Sequence, residues 1–599
     1  MTLISDIVAS HRAGASPVET IRAAYARLRA WNDPAMLIAT RPEAEAVALA
    51  QGLMARSDAA QLPLLGVPFV VKDNIDVAGL PTTAACPAFA YQPARSSFVV
   101  KRLEEAGAIV IGKSNLDQFA TGLVGVRSPY GVARNSVDPA LVPGGSSAGS
   151  ATAVGAGIVP FSLGTDTAGS GRVPAALNRI VGLKPSLGAL SATGVVPACR
   201  SLDTISIFAL TVDDADLVYR IAAGFDAQDS YSKPIGLSPL GPVPANLRVG
   251  VPRPQDLVFF DDAQAASAFQ ASVDVLESMG AKLVEVDISA FLQTAKLLYE
   301  GPWVAERAAA TKDILTNNSD AMLPVTREII SGGLKPGAVA AFEAFYKLAD
   351  LRRATEPTWT QIDMLAVPTM PTVYTVAEVL ADPIRLNSNF GTYTNFVNLL
   401  DLAALAVPGP DRLDGRPAGV TFIAPSGSDG KLASVGRVFQ SKAGAALGAT
   451  GAPCPAPAER AAKAPAGWIE LAVVGAHLSG MALNHELTSR DAVFLRKVET
   501  TKDYRFYALP GGPPERPGLV RVPDGQGASI AAEVWALRPD AFGTFVAGIP
   551  SPLGVGNVRF TDGSTPKGFL CEAEAVKAAT DISHLGGWRA YIASKTKPA

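Results

Sequence analysis

Apolar and polar positions alternate along this chain in blocks that predict strands and helices in turn. The runs LLGVPFVVKD (64–73), AIVIGKSN (108–115), LRVGVPRP (247–254) and KLVEVDI (282–288) are short, rich in β-branched residues and bounded by Gly, Pro or charge. That is the pattern of short strands, and the first of these runs reads as a buried one. Between them, SSFVVKRLEEAG (96–107) and AQAASAFQASVDVLESMG (263–280) repeat apolar residues at helical spacing. Strands alternating with helices predict an α/β layer fold. The N-terminal residues 1–31 read as amphipathic helices, with Ser16-Pro17-Val18-Glu19 as a capping box and His11 in a polar loop. From residue 468 the pattern changes. IELAVVGAHL (469–478), RFYALP (505–510) and AAEVWAL (531–537) read as strands between Gly/Pro turns, and a helix is expected near CEAEAVKAATDI (571–582). This block predicts a small α+β domain.

Composition sharpens the division. Residues 442–467 are rich in Ala, Pro and Gly and hold almost no large apolar side chain, which predicts a linker between domains 1–441 and 468–599. The chain has 599 residues, too many for one core. Its net charge of -3 gives no general attraction for nucleic acid or anionic lipid. The most apolar stretch, near 151–163, is broken by Gly and Pro and falls short of a membrane span. Cys86, Cys199, Cys454 and Cys571 are far apart, which argues against a zinc site or a disulfide framework and suits a reducing cytoplasm. A soluble cytoplasmic protein is expected, with no metal and no cofactor.

Two clusters of glycine and hydroxyl residues carry the chemistry. GGSSAGS (144–150) has glycines at phosphate-loop spacing, but Ser150 stands where that motif needs lysine. In GTDTAGSG (164–171) the backbone N–H groups of Thr167, Ala168, Gly169 and Ser170 can converge as an oxyanion hole, with Ser170 as a nucleophile. The usual base is missing, because the first 476 residues contain one histidine, His11. That argues against a Ser-His-Asp triad. Lys72, at the end of a predicted buried strand, is the candidate base, since desolvation makes a neutral lysine accessible near pH 7.

Three segments in order, 66–83, 144–175 and Gly182-Leu183-Lys184-Pro185-Ser186, resemble the amidase signature family over roughly residues 20–440. The resemblance implies an α/β/α sandwich around a mixed β-sheet. It also implies a Ser-Ser-Lys triad, with Ser170 as nucleophile, Ser146 as bridging hydroxyl in a cis peptide, and Lys72 as base. The chain has Ala148 and Ala168 where the family commonly has glycine, so a methyl is expected to narrow the pocket beside the oxyanion hole while leaving the N–H donors in place.

Further stretches, 297–307, 386–408, 475–492, 568–572 and 586–594, resemble the allophanate hydrolases within that family and extend the resemblance into the C-terminal block. It implies hydrolysis of allophanate to ammonia and N-carboxycarbamate, whose decarboxylation gives two ammonia and two carbon dioxide overall. Arg307, Tyr299 and Gly122 are the implied substrate contacts. The C-terminal domain is similar to the gamma-glutamyl cyclotransferase fold, which makes Glu533, His485 and His477 candidates for promoting the decarboxylation. A structural role in pairing subunits is the other reading of that domain. A homodimer is expected, with a functional link to a separate urea carboxylase. Competing readings are an amidase of other small-amide specificity, an ammonia-generating amidotransferase-type subunit, and an inactive amidase-like binding protein.

Overall fold

A computed structural model describes residues 3–237, 240–244, 246–457, 464 and 467–596. They form two compact units. The first is built from the chain up to residue 235 and from 248 to 457, and the second from segment 236–247 and the C-terminal residues.

The first unit is organised on one mixed sheet of 11 strands. In chain order these are β1 (Leu37–Thr40), β2 (Pro68–Lys72), β3 (Ile109–Ser114), β4 (Phe161–Asp166), β5 (Val181–Lys184), β6 (Thr204–Ala209), β7 (Arg248–Pro252), β8 (Lys282–Val286), β9 (Met364–Pro368), β10 (Leu402–Pro408) and β11 (Gly419–Pro425). Their order across the sheet is β1-β3-β2-β4-β6-β5-β10-β11-β9-β7-β8. β2 lies parallel to both β3 and β4, and β4 runs antiparallel to β6. All four of the predicted strands named above form. β2, β3 and β4 are buried along their whole length, which fits the unbroken apolar runs Phe69-Val70-Val71 and Ile109-Val110-Ile111, while the polar residues of β3 and β4 are buried with them.

Helices cover this sheet in the expected α/β layers. Ala148–Gly155 and Val173–Leu177 pack on each other and on the central strands, while Val212–Ala222 and Asp429–Ala443 pack on each other and on β5, β6, β10 and β11. Among the described residues no helix is long and apolar enough to cross a membrane.

Several local expectations are corrected. Ser16 precedes the helix Pro17–Trp31 without any side-chain cap bond, so no capping box forms there. His11 lies in the helix Ile4–Arg12 rather than in a loop, buried with Nδ1 2.8 Å from Leu65 O and Nε2 2.7 Å from Thr20 Oγ1. The Ala/Pro-rich stretch 442–467 begins inside a helix that ends at Ala443, and Leu447 is buried in the first unit's core. Small residues there allow close packing rather than chain freedom. Residues 458–463 and 465–466 of that stretch lie outside the described residues.

The second unit holds β12 (Ile469–Val473), β13 (Val493–Glu499), β14 (Tyr504–Ala508), β15 (Pro517–Arg521), β16 (Ala531–Leu537), β17 (Leu553–Asn557), β18 (Lys567–Cys571) and β19 (Thr580–Asp581). They make a five-stranded sheet, β13-β16-β12-β18-β17, and a three-stranded one, β15-β14-β19. The helix expected over 571–582 is replaced by a single 3-10 turn, Ala575–Ala578, and the two-residue β19. Helices form instead at Pro539–Ala547 and Trp588–Thr596.

Candidate active site

Lys72 closes β2 and is wholly buried. Its Nζ lies 2.7 Å from Ser146 Oγ and 2.7 Å from Thr165 Oγ1. Desolvation disfavours the ammonium and brings its pKa down to about 7, against the opposing pull of Asp117, Asp203 and Asp166, while Arg307 pushes in the same direction as burial. A lysine in this state exchanges a proton with a neighbouring hydroxyl near neutral pH. Thr165, on the adjacent strand β4, carries no motif that would single it out in the sequence. It fixes the ammonium from a second side and is itself met by Asn74 Nδ2 at 3.4 Å.

Ser146 follows a cis Gly145–Ser146 peptide, as the resemblance implied. Asp117 organises this turn. Its N–H donates to Ser146 O at 3.1 Å, and its carboxylate accepts from the N–H groups of Gly125 at 3.0 Å and Arg127 at 2.8 Å. A Cβ on Gly145 would lie 1.9 Å from Asp117 Oδ2, and one on Gly122 2.4 Å from the same oxygen. Both positions therefore exclude a side chain. Gly122 in turn presents its carbonyl to Ser170 Oγ at 3.4 Å, so Asp117 is packed against both the Ser146 turn and the backbone that Ser170 faces.

The Ser170 loop is shaped by Asp166, at the end of β4. Its carboxylate accepts from Gly169 N–H at 2.8 Å, Gly171 N–H at 3.0 Å, and both Nε and Nη2 of the buried Arg172 at 2.9 Å. Burial works against this carboxylate's charge, but the guanidinium holds its pKa below the ordinary range. One expectation is revised here: the Gly169 N–H is committed to Asp166 and does not face an oxyanion. The N–H groups of Thr167, Ala168 and Ser170 donate to no acceptor among the described residues, which leaves them as the candidate oxyanion donors. Gly169 adopts φ +130, where an L side chain is strained and a Cβ would meet Thr394 Oγ1 at 2.5 Å. Ala168 is buried in the apolar cluster that includes Leu202 and Tyr393.

Arg307 lies in the helix Trp303–Ala310 and is buried. Nη1 donates to Ala120 O at 3.1 Å and to Thr121 Oγ1 at 3.0 Å, two and one residues before Gly122. Among the described residues no carboxylate forms an ion pair with it. Burial disfavours its charge, yet the surrounding Cys199 and Tyr299, and after them Asp203 and Glu306, hold its pKa above the ordinary value. Tyr299, half-buried at the end of the helix Ser289–Glu300, lies within electrostatic reach of both Arg307 and Arg127.

The second unit encloses a cavity of about 350 Å³, lined by His477, Glu486, Arg516, Phe545 and Phe569 among others. His477 Nε2 lies 3.0 Å from Glu486 Oε2, and its ring stacks on Phe569 with centroids 5.2 Å apart. Burial lowers its pKa. The other two candidates do not line this cavity. His485 is exposed, with Nδ1 3.0 Å from Ala482 O. Glu533 is buried as expected on β16, but its carboxylate is already engaged by Ser479 N–H at 2.7 Å, Ser479 Oγ at 2.8 Å, Trp535 Nε1 at 3.3 Å and Arg589 Nη2 at 2.7 Å. That saturation fits a structural anchor rather than a proton donor.

Comparison with known proteins agrees with this two-part organisation. Residues 19–433 match the amidase family, and residues 469–593 match a family described as allophanate hydrolase C-terminal domain. The solved structure of selenomethionine-substituted Kluyveromyces lactis allophanate hydrolase superposes with a TM-score of 0.87 at 42% identity, covering 99% of both chains. A urea amidolyase of Saccharomyces cerevisiae is 44% identical over 556 residues, which cover 90% of this chain and 30% of that protein. This chain thus spans 30% of the length of the two curated urea amidolyases it matches and 37% of the solved K. lactis urea amidolyase. The native peptide amidase of Stenotrophomonas maltophilia is 26% identical with a TM-score of 0.64, covering 74% of this chain and 97% of its own.

Proposed function

Since the chain belongs to the amidase family, we propose that it hydrolyses allophanate through Ser170, Ser146 and Lys72. Neutral Lys72 accepts the Ser146 proton as Ser146 takes that of Ser170, and Ser170 Oγ attacks the terminal urea-type carbonyl. The N–H groups of Thr167, Ala168 and Ser170 receive the oxyanion. Return of the proton expels ammonia and leaves an acyl-enzyme, and water then releases N-carboxycarbamate.

The observation that carries the substrate choice is Arg307, a buried guanidinium with no carboxylate of its own, among the described residues, bonded to Ala120 O and Thr121 Oγ1 next to Gly122, whose carbonyl faces Ser170 Oγ. Allophanate is a urea bearing a carboxylate, and it supplies the missing anion. The full-length likeness to the K. lactis enzyme supports the same reading. Carboxylation of urea on one nitrogen makes this substrate, and the partial match to longer urea amidolyases supports a link to a urea carboxylase.

Incubation of the purified protein with allophanate, biuret and malonamate, with ammonia and carbon dioxide counted, tests the assignment. Arg307→Ala is expected to lower kcat/KM for allophanate by about 10–100-fold, the weight of a charge-assisted contact. Neutral biuret should lose far less, and equal losses on both would make Arg307 structural.

The second unit promotes decarboxylation of N-carboxycarbamate on this proposal, with His477 as its acting histidine because it alone of the three candidates lines the cavity. His477→Asn in the full chain should leave release of the first ammonia unchanged and slow the second, as time-resolved ammonia counts will register. Prompt release of both would leave this unit a structural role.

A further inference from the structure

One loop ties the oxyanion turn to the recognition helix. Asp203 accepts the Thr167 hydroxyl with one carboxylate oxygen, and with the other the N–H groups of Ala198 at 2.7 Å and Cys199 at 3.1 Å. Within the same loop, Ser201 donates its N–H to Glu306 Oε2 at 2.9 Å and its hydroxyl to Glu306 Oε1. Glu306 is the helix neighbour of Arg307. Cys199 Sγ also donates to Trp303 O at 3.3 Å, on the same helix, and Asn398 Nδ2 holds Leu202 O and Asp166 O, each at 2.9 Å. The span 198–203 is therefore fastened at one end to the residue that presents an oxyanion donor and at its middle to the residue beside the guanidinium.

We propose that Asp203 and Glu306 are positioning residues whose shared loop fixes the distance between the oxyanion donors and Arg307, and so sets the preference for small linear amides that carry a carboxylate. The inference rests on the reading that Ser170 attacks and Arg307 receives the carboxylate. In such a substrate the carboxylate and the scissile carbonyl are separated by a fixed length. The attraction of Arg307 becomes orientation of the carbonyl only if both anchors are rigid with respect to each other, and a displacement of about 1 Å can lower a rate about 100-fold. Neither carboxylate has to touch the substrate for this.

The test compares kcat and KM on allophanate and on neutral biuret for the full chain. Asp203→Asn should lower kcat about 30-fold or more on both substrates, with KM within about threefold, because the oxyanion turn serves both. Thr167→Val removes the partner hydroxyl from the other side and should reproduce that loss, which guards against a fold defect peculiar to the Asp203 variant. Glu306→Ala should lower kcat about tenfold on allophanate and less than about threefold on biuret. Glu306→Gln, whose amide oxygen still accepts the Ser201 N–H, should recover most of the loss. Equal effects of Glu306→Ala on the two substrates, a change confined to KM, or no rescue by glutamine would overturn the proposal. If instead Arg307→Ala fails to separate allophanate from biuret, the substrate assignment falls, and the Asp203 and Thr167 variants on biuret still decide whether the loop positions the oxyanion turn.

Discussion

Ser170→Ala is expected to lower turnover of allophanate at least about 10⁴-fold while leaving its binding nearly unchanged. On the proposed mechanism the substitution removes the atom that forms the acyl-enzyme. It leaves the Ser170 N–H, the other two amide donors and Arg307 in place, so the substrate keeps its anchors. The structural consequence is small: the Ser170 hydroxyl makes one long contact, 3.4 Å to Gly122 O, whose loss costs about 1 kcal/mol or less. Rapid-quench mass spectrometry should find an acyl adduct in the parent enzyme and none in the variant. Turnover above about one part in a hundred would remove Ser170 from the nucleophile's role, whatever the fate of the allophanate assignment.

Much of this site is local in sequence, and that part was legible. A strand ending in lysine, a glycine-serine turn before a helix and a second glycine-serine turn after a strand each occupy fewer than about ten residues, the range over which periodicity and turn chemistry speak. What holds those pieces together is not local. Asn398 reaches Asp166 and Leu202 across 232 and 196 residues, and Glu306 reaches Ser201 across 105. A single sequence gives no signal for such pairs. The commitment of the Gly169 N–H to Asp166 was hidden for a different reason, because four small residues in a row look equally available until the backbone direction of each is known. Glu533 shows the same limit from the other side. Its strand and its burial were readable from AAEVWAL, but its partners Ser479 and Arg589 lie 54 and 56 residues away and change its meaning from acid to anchor. His11 misled because its ring is satisfied by Leu65 O, which allows burial in a segment that looks polar.

Lys72→Met should abolish hydrolysis and, at the same time, make the first unit more resistant to unfolding. The loss of activity, at least about 10³-fold, follows from removing the base. In the parent enzyme kcat/KM should rise with pH through about 7, as the ammonium of Lys72 gives up its proton. The stability effect comes from the same displacement. The folded-state pKa of Lys72 is about 7, against 10.5 for the ordinary side chain. Between these values the unfolded chain holds a proton that the folded one lacks, so the lysine's penalty on folding is absent above the unfolded pKa and grows to its full size as pH falls to about 7. With 1.36 kcal/mol per pKa unit, that penalty is on the order of 4 kcal/mol near neutrality. Methionine has a similar length and no charge to desolvate. Against this gain stand the Ser146 and Thr165 hydroxyls, which lose a partner at a cost of about 1–3 kcal/mol. Their cost does not depend on pH, whereas the lysine's penalty does. The advantage of the variant should therefore shrink by about 2 kcal/mol between pH 7 and pH 9. Denaturant unfolding of both proteins at the two pH values measures this difference. A pH-independent stability difference would mean that Lys72 keeps its proton in the folded protein, and would leave the site without its base.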